Sequence, residues 1–158
     1  MEGYAQSSLP ELRTCLEKVK EDKAYAFSLY NKLKDSPGSY LEQGYVGMVE
    51  SMLAEHTSNP MKKLSYFNEG KSKLEKAIAA LPLDVELRYL RLMLQLNVPS
   101  LLGYSGNISS DRAYIVQHIA SRKEDLGEIQ YANIIETMLR KGECTSVQKI
   151  QLQQLQRA

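Results

Sequence analysis

The chain has no tryptophan, only two cysteines and two histidines, and no excess of either charge: twenty Lys and Arg face nineteen Asp and Glu in 158 residues. Each scarcity narrows the chemistry. Neither His56 nor His118 has a second ligand at i+4 or belongs to an HExxH motif, so no metal site is expected. A general base also needs a positioned partner that the neighbouring residues do not supply. Cys15 and Cys144 form no CxxC or Cys/His cluster and read as packed thiols. A bridge between them would need an oxidising compartment and chain ends that meet. The densest basic spots (Lys62 and Lys63, 71–76, Arg122 and Lys123) have acidic neighbours within a turn or two. They read as solvated helix faces, which argues against a nucleic-acid partner.

Long apolar runs are missing as well. The longest candidate, 85–98, is interrupted by Glu86, Arg88, Arg91 and Gln95 and falls short of the roughly 20 residues a membrane span needs. The first residues lack a basic start followed by an apolar core, so the sequence as it stands reads as cytoplasmic. The alternative is export, with the small-x-small pattern of Gly3-Tyr4-Ala5-Gln6 as the remnant of a longer signal peptide. The loop Gly103-Tyr104-Ser105-Gly106 has no strand before it and no lysine at the Walker position, so no nucleotide and no other cofactor is expected. Asn107-Ile108-Ser109 fits a glycosylation sequon, which matters only in a glycosylating pathway.

What is present is helical periodicity. Ser8 and Glu11 have capping-box spacing, with Pro10 in the first turn. Leu9, Leu12, Leu16, Val19, Ala26, Leu29, Tyr30 and Leu33 then predict one long helix, or two collinear ones, over 9–34. After a turn at Ser36-Pro37-Gly38, Ser39 caps a helix over 40–55 with Leu41, Tyr45, Val49, Met52 and Leu53 inward. Asn59-Pro60 starts a third helix, 60–80, with Leu64, Phe67, Leu74, Ile78 and Leu81 on one stripe. Pro82 turns the chain and Asp84 caps a fourth helix to about residue 97, apolar over most of its circumference and therefore central. Beyond an irregular stretch, Ser109 or Ser110 starts a fifth helix to about 126, with Gly127 as its stop. A sixth covers 128–141, and Thr145 or Ser146 caps a last one to about 157. The expectation is an all-α chain of about seven helices: a flexible start at 1–8, then a single domain over 9–158 of antiparallel hairpins in a short array or irregular bundle.

Gly70, Leu74, Ala77 and Pro82 follow the order small, large, small, proline along one helix, and Gly44 is the small residue of the helix before it. In these residues the chain resembles the tetratricopeptide-like helical repeats, in which small residues let two helices approach. Its pair spacing is nearer 45 residues than the 34 of that repeat, and the pattern covers about half the chain. The resemblance implies stacked helical hairpins with a concave binding face. The 77–119 segment, with its Leu102-Gly103-Tyr104 loop, also resembles small bacterial helical proteins, which implies no activity.

Two features stand out as candidate contact sites. Arg88, Arg91 and Gln95 share a narrow arc of the fourth helix, where they either meet an anionic group of a partner or form ion pairs with Glu86, Asp84 or a neighbouring helix. Leu101, Leu102 and Tyr104 sit in a loop, where they either plug the core or present a contact surface. The tail helix carries Val147, Ile150, Leu152 and Leu155 over a wide arc, so it docks in its own chain or forms a homo-oligomer. The first functional expectation is a non-enzymatic interaction or scaffold module for a protein or peptide. The alternative is a small-ligand-binding protein or enzyme with its site inside the array, for which acidic pairs such as Glu50 and Glu55 are the available residues.

Overall fold

The computed structural model describes residues 8–36 and 38–158. Among them all regular structure is helical and there is no strand, as the periodicity implies. The Gly3–Gln6 pattern, Ser7 and Pro37 lie outside the described residues. The chain divides into two compact units, one ending at Pro82 and the other formed by Leu83–Ala158.

The first unit contains α1 (Leu9–Thr14), α2 (Leu16–Glu21), α3 (Lys23–Leu33), α4 (Tyr40–Met52), which tightens into a 3-10 turn at Leu53–His56, and α5 (Pro60–Ala80). The expected long first helix is therefore broken twice. At Asp22 the backbone is extended (φ −118°, ψ 102°), and its side chain accepts from the Tyr25 backbone N–H at 3.0 Å, capping α3. A short acceptor side chain can restart a helix without any glycine or proline. Near the break the Val19 carbonyl takes a tertiary hydrogen bond, with His56 Nε2 2.6 Å away. Ser8 does not cap α1: its backbone is helical and its hydroxyl donates instead to Glu42 Oε2 at 2.7 Å. The capping box belongs to α4, where Ser39 and Glu42 bond reciprocally. Asn59 starts α5 by accepting from the backbone N–H groups of Met61 and Lys62.

The pairing of α4 with α5 dominates this unit. The two helices approach most closely at Gly47 and Gly70. A Cβ on Gly47 would lie 2.6 Å from the Gly70 carbonyl oxygen and 2.8 Å from the Leu74 nitrogen. The two backbones thus touch directly, with the buried Leu74 and Ala77 near Gly70 on the same side of α5, and Tyr45, Val49 and Leu53 are buried elsewhere in the unit. Of the stripe expected on α5, Phe67, Leu74 and Ile78 are buried, whereas Leu64 and Leu81 near its two ends are exposed. Glu50 is fully buried between the helices. Its two oxygens accept from the Tyr30 hydroxyl (2.7 Å) and the Lys73 ammonium (2.5 Å), so the buried charge is compensated on both sides.

The second unit contains α6 (Val85–Asn97), a 3-10 turn at Ser100–Leu102, α7 (Ile108–His118), a 3-10 turn at Ile119–Arg122, α8 (Lys123–Lys141) and α9 (Ser146–Arg157). Asp84 caps α6 as expected, accepting from the Leu87 backbone N–H. Ser109 and Ser110 are not caps; they lie inside the first turn of α7, which begins after Asn107. The expected fifth helix is shorter than its pattern, because 3-10 geometry takes over at Ile119 and a new helix begins at Lys123. Gly127, at φ +78°, interrupts that helix where a stop was expected. Thr145 and Gln148 make a capping box on α9. Arg122 meets Asp84 (3.6 Å) at one end of the unit, and Arg112 Nε donates to the Gly142 carbonyl (2.8 Å) at the other. The helices therefore run up and down, with the α6–α7 connection and the α8–α9 turn at the same end. In the tail helix Leu152 is buried within the unit, while Val147 and Ile150 are exposed.

Candidate functional site

The second unit is organised around α6, which is buried from Val85 to Gln95 except for Arg88. Its polar strip, Arg88, Arg91 and Gln95, is not open as its spacing suggested. It is covered by α7, which brings an acceptor to each of the three side chains. Arg91 makes a fork to the fully buried Asp111, with Nε donating to Oδ2 at 2.7 Å and an Nη to Oδ1 at 2.9 Å. The planar guanidinium matches the carboxylate in a way an ammonium would not. Arg88 reaches Asp111 Oδ1 at 3.4 Å and lies over the Tyr114 ring, 4.1 Å from its centroid. The Tyr114 hydroxyl donates to the Leu83 carbonyl at 2.7 Å. Gln95 and Asn107 bond reciprocally: the Gln95 amide donates to Asn107 Oδ1 (3.0 Å), and the Asn107 backbone N–H donates to Gln95 Oε1 (3.1 Å). The sequon asparagine is therefore half-buried with its side-chain oxygen engaged.

The loop residues divide. Tyr104 is buried at 7% exposure and anchors the loop to the unit, as the core-plug reading has it. Leu101 is 93% exposed and Leu102 39% exposed, as the contact-surface reading has it. Both lie in the Ser100–Leu102 3-10 turn, which Gly103 closes at φ +64°, a conformation a side-chain-bearing residue rarely takes. The turn is thus held by the Gln95–Asn107 pair at its base and by Tyr104 on its far side, while its apex projects outward. Of the six residues singled out from sequence, Arg88, Arg91 and Gln95 face the protein's own α7, Tyr104 faces the core, and Leu101 and Leu102 face outward.

Asp111 and Asn107, which complete the polar strip, are the residues that sequence reasoning missed. The available signal was symmetry about the loop. Arg91 and Asp111 are twenty residues apart and Gln95 and Asn107 twelve, and both pairs are centred on Leu101. In an antiparallel hairpin such positions fall at the same level. Elsewhere, Glu50 is committed to Tyr30 and Lys73, and Glu55 is exposed. Burial pushes the Tyr30 hydroxyl up, and its hydrogen bond to Glu50 pushes the same way. Burial likewise raises the Cys15 thiol to about 12, and raises Cys144 against the opposing effect of Arg112 and Lys149. Both thiols are free and buried, which makes them poor nucleophiles. No group of three His, Cys, Asp or Glu side chains able to hold a metal occurs among the described residues, and no helix there is long and apolar enough to cross a membrane. No protein-family model, curated protein or solved structure matches the chain.

Proposed function

We propose that the protein is a non-enzymatic helical interaction module that binds a protein or peptide partner through the turn at Ser100–Leu102. The observation that carries this reading is the nearly complete exposure of Leu101 on a turn braced from both sides. A single exposed leucine is ordinary. One carried at the apex of a hydrogen-bonded turn, beside a second partly exposed leucine, offers an apolar anchor on a backbone that is already folded into shape. The Arg88–Arg91–Gln95 strip then acts behind the contact surface, fixing α7 against α6 and so setting where the turn projects. The α4–α5 hairpin, with its touching Gly47 and Gly70 and the flanking Leu74 and Ala77, supports kinship in design with degenerate tetratricopeptide-like hairpins.

A photo-reactive residue at position 101 tests the reading. Cross-linking to a protein from position 101, absent from an exposed control position such as Gln151 and competed by unlabelled wild-type protein but not by the Leu101→Asp variant, is the expected result. Equal labelling from both positions, or full competition by Leu101→Asp with an unchanged melting curve, would remove the turn from the function.

A further inference from the structure

Residues 92–110 contain no Asp, Glu, Lys or Arg, in a chain whose charged fraction is 25%. The charges that border this run are turned inward. Arg91 and Asp111 are buried on one another, and Arg112 donates through Nε to the Gly142 carbonyl. Within the run, residues 99–103, 105, 106, 109 and 110 are exposed, with Leu101 at the apex. The α6–α7 connection thus presents an uncharged apex built of proline, leucine, serine and glycine, while the exposed charges at the same end, Lys141 and Glu143, belong to the α8–α9 turn.

The missing charge bears on what covers this surface. An interface for an unlike partner draws steering and specificity from complementary charges. A surface that meets its own copy across a two-fold axis is under the opposite constraint. Every group near the axis faces itself, so a charge there meets a like charge. A charge-free apex satisfies that constraint, and leucine against leucine is self-complementary. We infer that the occupant of this surface is a second copy of the chain, packed through Leu101 and Leu102 about a two-fold axis. The inference rests on the reading of the turn as a contact surface and names its partner. About ten exposed residues on each side are fewer than the 20–30 of a standard interface, so the dimer is weak and concentration-dependent. This places self-association on the turn, not on the Val147 and Ile150 face of α9, where only two exposed apolar side chains lie among glutamines.

Sedimentation velocity across a concentration series from about ten to several hundred micromolar is the primary experiment. The wild-type chain should shift from monomer toward dimer, and Leu101→Asp, which places two like charges at the axis, should weaken the dimer by roughly a hundredfold with no change in helical circular dichroism. Because a two-fold brings position 101 beside its own copy, Leu101→Cys should form an intermolecular disulfide under mild oxidation, while the exposed control Ser65→Cys should not. The native thiols do not compete, since both are buried. A wild-type chain that stays monomeric at several hundred micromolar overturns the inference. So does a dimer that survives Leu101→Asp but dissociates on Val147→Asp with Ile150→Asp. If the monomeric protein still yields a specific cross-link from position 101 to a different protein, the dimer is refuted and the turn as contact surface stands; if no specific cross-link forms either, both readings fall together.

Discussion

Replacing Gly47 with alanine sets two physical effects against each other with opposite signs. In an exposed helix interior, glycine to alanine stabilises by about 1 kcal/mol, because the unfolded chain loses freedom and the helix gains a better former. At Gly47 the added methyl would sit 2.6 Å from the Gly70 oxygen and 2.8 Å from the Leu74 nitrogen. Both are backbone atoms of α5 and cannot rotate away. Restoring ordinary contact near 3.4 Å requires α4 and α5 to separate by 0.8 Å, the difference between that distance and 2.6 Å. A gap of that size forfeits about a quarter to a half of each dispersion contact across the seam. Overpacking of this kind costs about 1–3 kcal/mol, and the seam includes Ser51 and Leu74 as well as the Glu50–Lys73 pair. Because both clashes are with backbone the cost lies in the upper part of that range, and after the gain of about 1 kcal/mol the net expectation is a loss of about 1–2 kcal/mol, or a melting temperature about 2–8 °C lower for a chain of this size. Gly70→Ala should behave alike, since its Cβ would collide with the Gly47 oxygen and the Ser51 nitrogen. The double variant should cost less than the sum, because one separation relieves both clashes. Gly106→Ala, with nothing within 4 Å, is the control and should change stability by less than about 0.5 kcal/mol. Calorimetry or thermal circular dichroism reads all four. A Gly47→Ala protein as stable as wild type, or more so, would refute the direct contact between the two backbones.

The buried ion pair of the second unit yields a larger effect. Asp111→Asn leaves the buried Arg91 guanidinium without its counter-charge and should cost about 3–5 kcal/mol in urea unfolding; a loss under 1 kcal/mol would contradict the burial of the pair. His56→Ala removes the tertiary bond to the Val19 carbonyl and should cost about 1 kcal/mol, with hydrogen exchange quickening around the Asp22 break before the rest of the unit. Burial raises the Glu42 carboxyl, but hydrogen bonds from Ser8 and Ser39 outweigh it and hold the group below the usual carboxylate range. Its contribution is therefore present above the unfolded value near 4.3 and is lost as pH falls through the lower folded value. The melting difference between wild type and Glu42→Ala should be largest near pH 6 and should narrow steadily below pH 4; a difference that widens in acid would reverse the sign. Cys15 and Cys144 should react with a thiol reagent only as the chain unfolds.

The helices were legible where apolar spacing coincided with a strong cap. Ser39, Asn59, Asp84 and Thr145 each mark a start that the structure keeps. Legibility failed where a side chain bonded away from its own helix. Ser8 had the spacing of a capping box with Glu11, yet its hydroxyl serves Glu42 from outside, and Asp22, in an unbroken periodic stretch, caps a new helix instead of continuing the old one. Local pattern cannot register a tertiary competitor for a hydrogen bond. The same holds at the candidate site. Periodicity put Arg88, Arg91 and Gln95 on one arc of α6, but whether that arc meets water or α7 depends on Asp111 and Asn107. Gly47 carried no signal of its own in the sequence, because only the crossing point of two helices shows which small residue meets the opposite backbone.

The reciprocal bonds that bracket Leu101 separate two jobs along the chain. The lock that holds α6 to α7 sits in the helices and in Asn107 at the foot of the second, and none of its side chains lies in the 99–103 stretch. Apart from Gly103, which closes the turn at a positive φ, residues in that stretch are therefore free to be rewritten without disturbing the register behind them. A foreign recognition peptide spliced in place of 99–102 should be displayed on an unaltered scaffold, and diversification there would change binding preferences while leaving the body of the molecule intact.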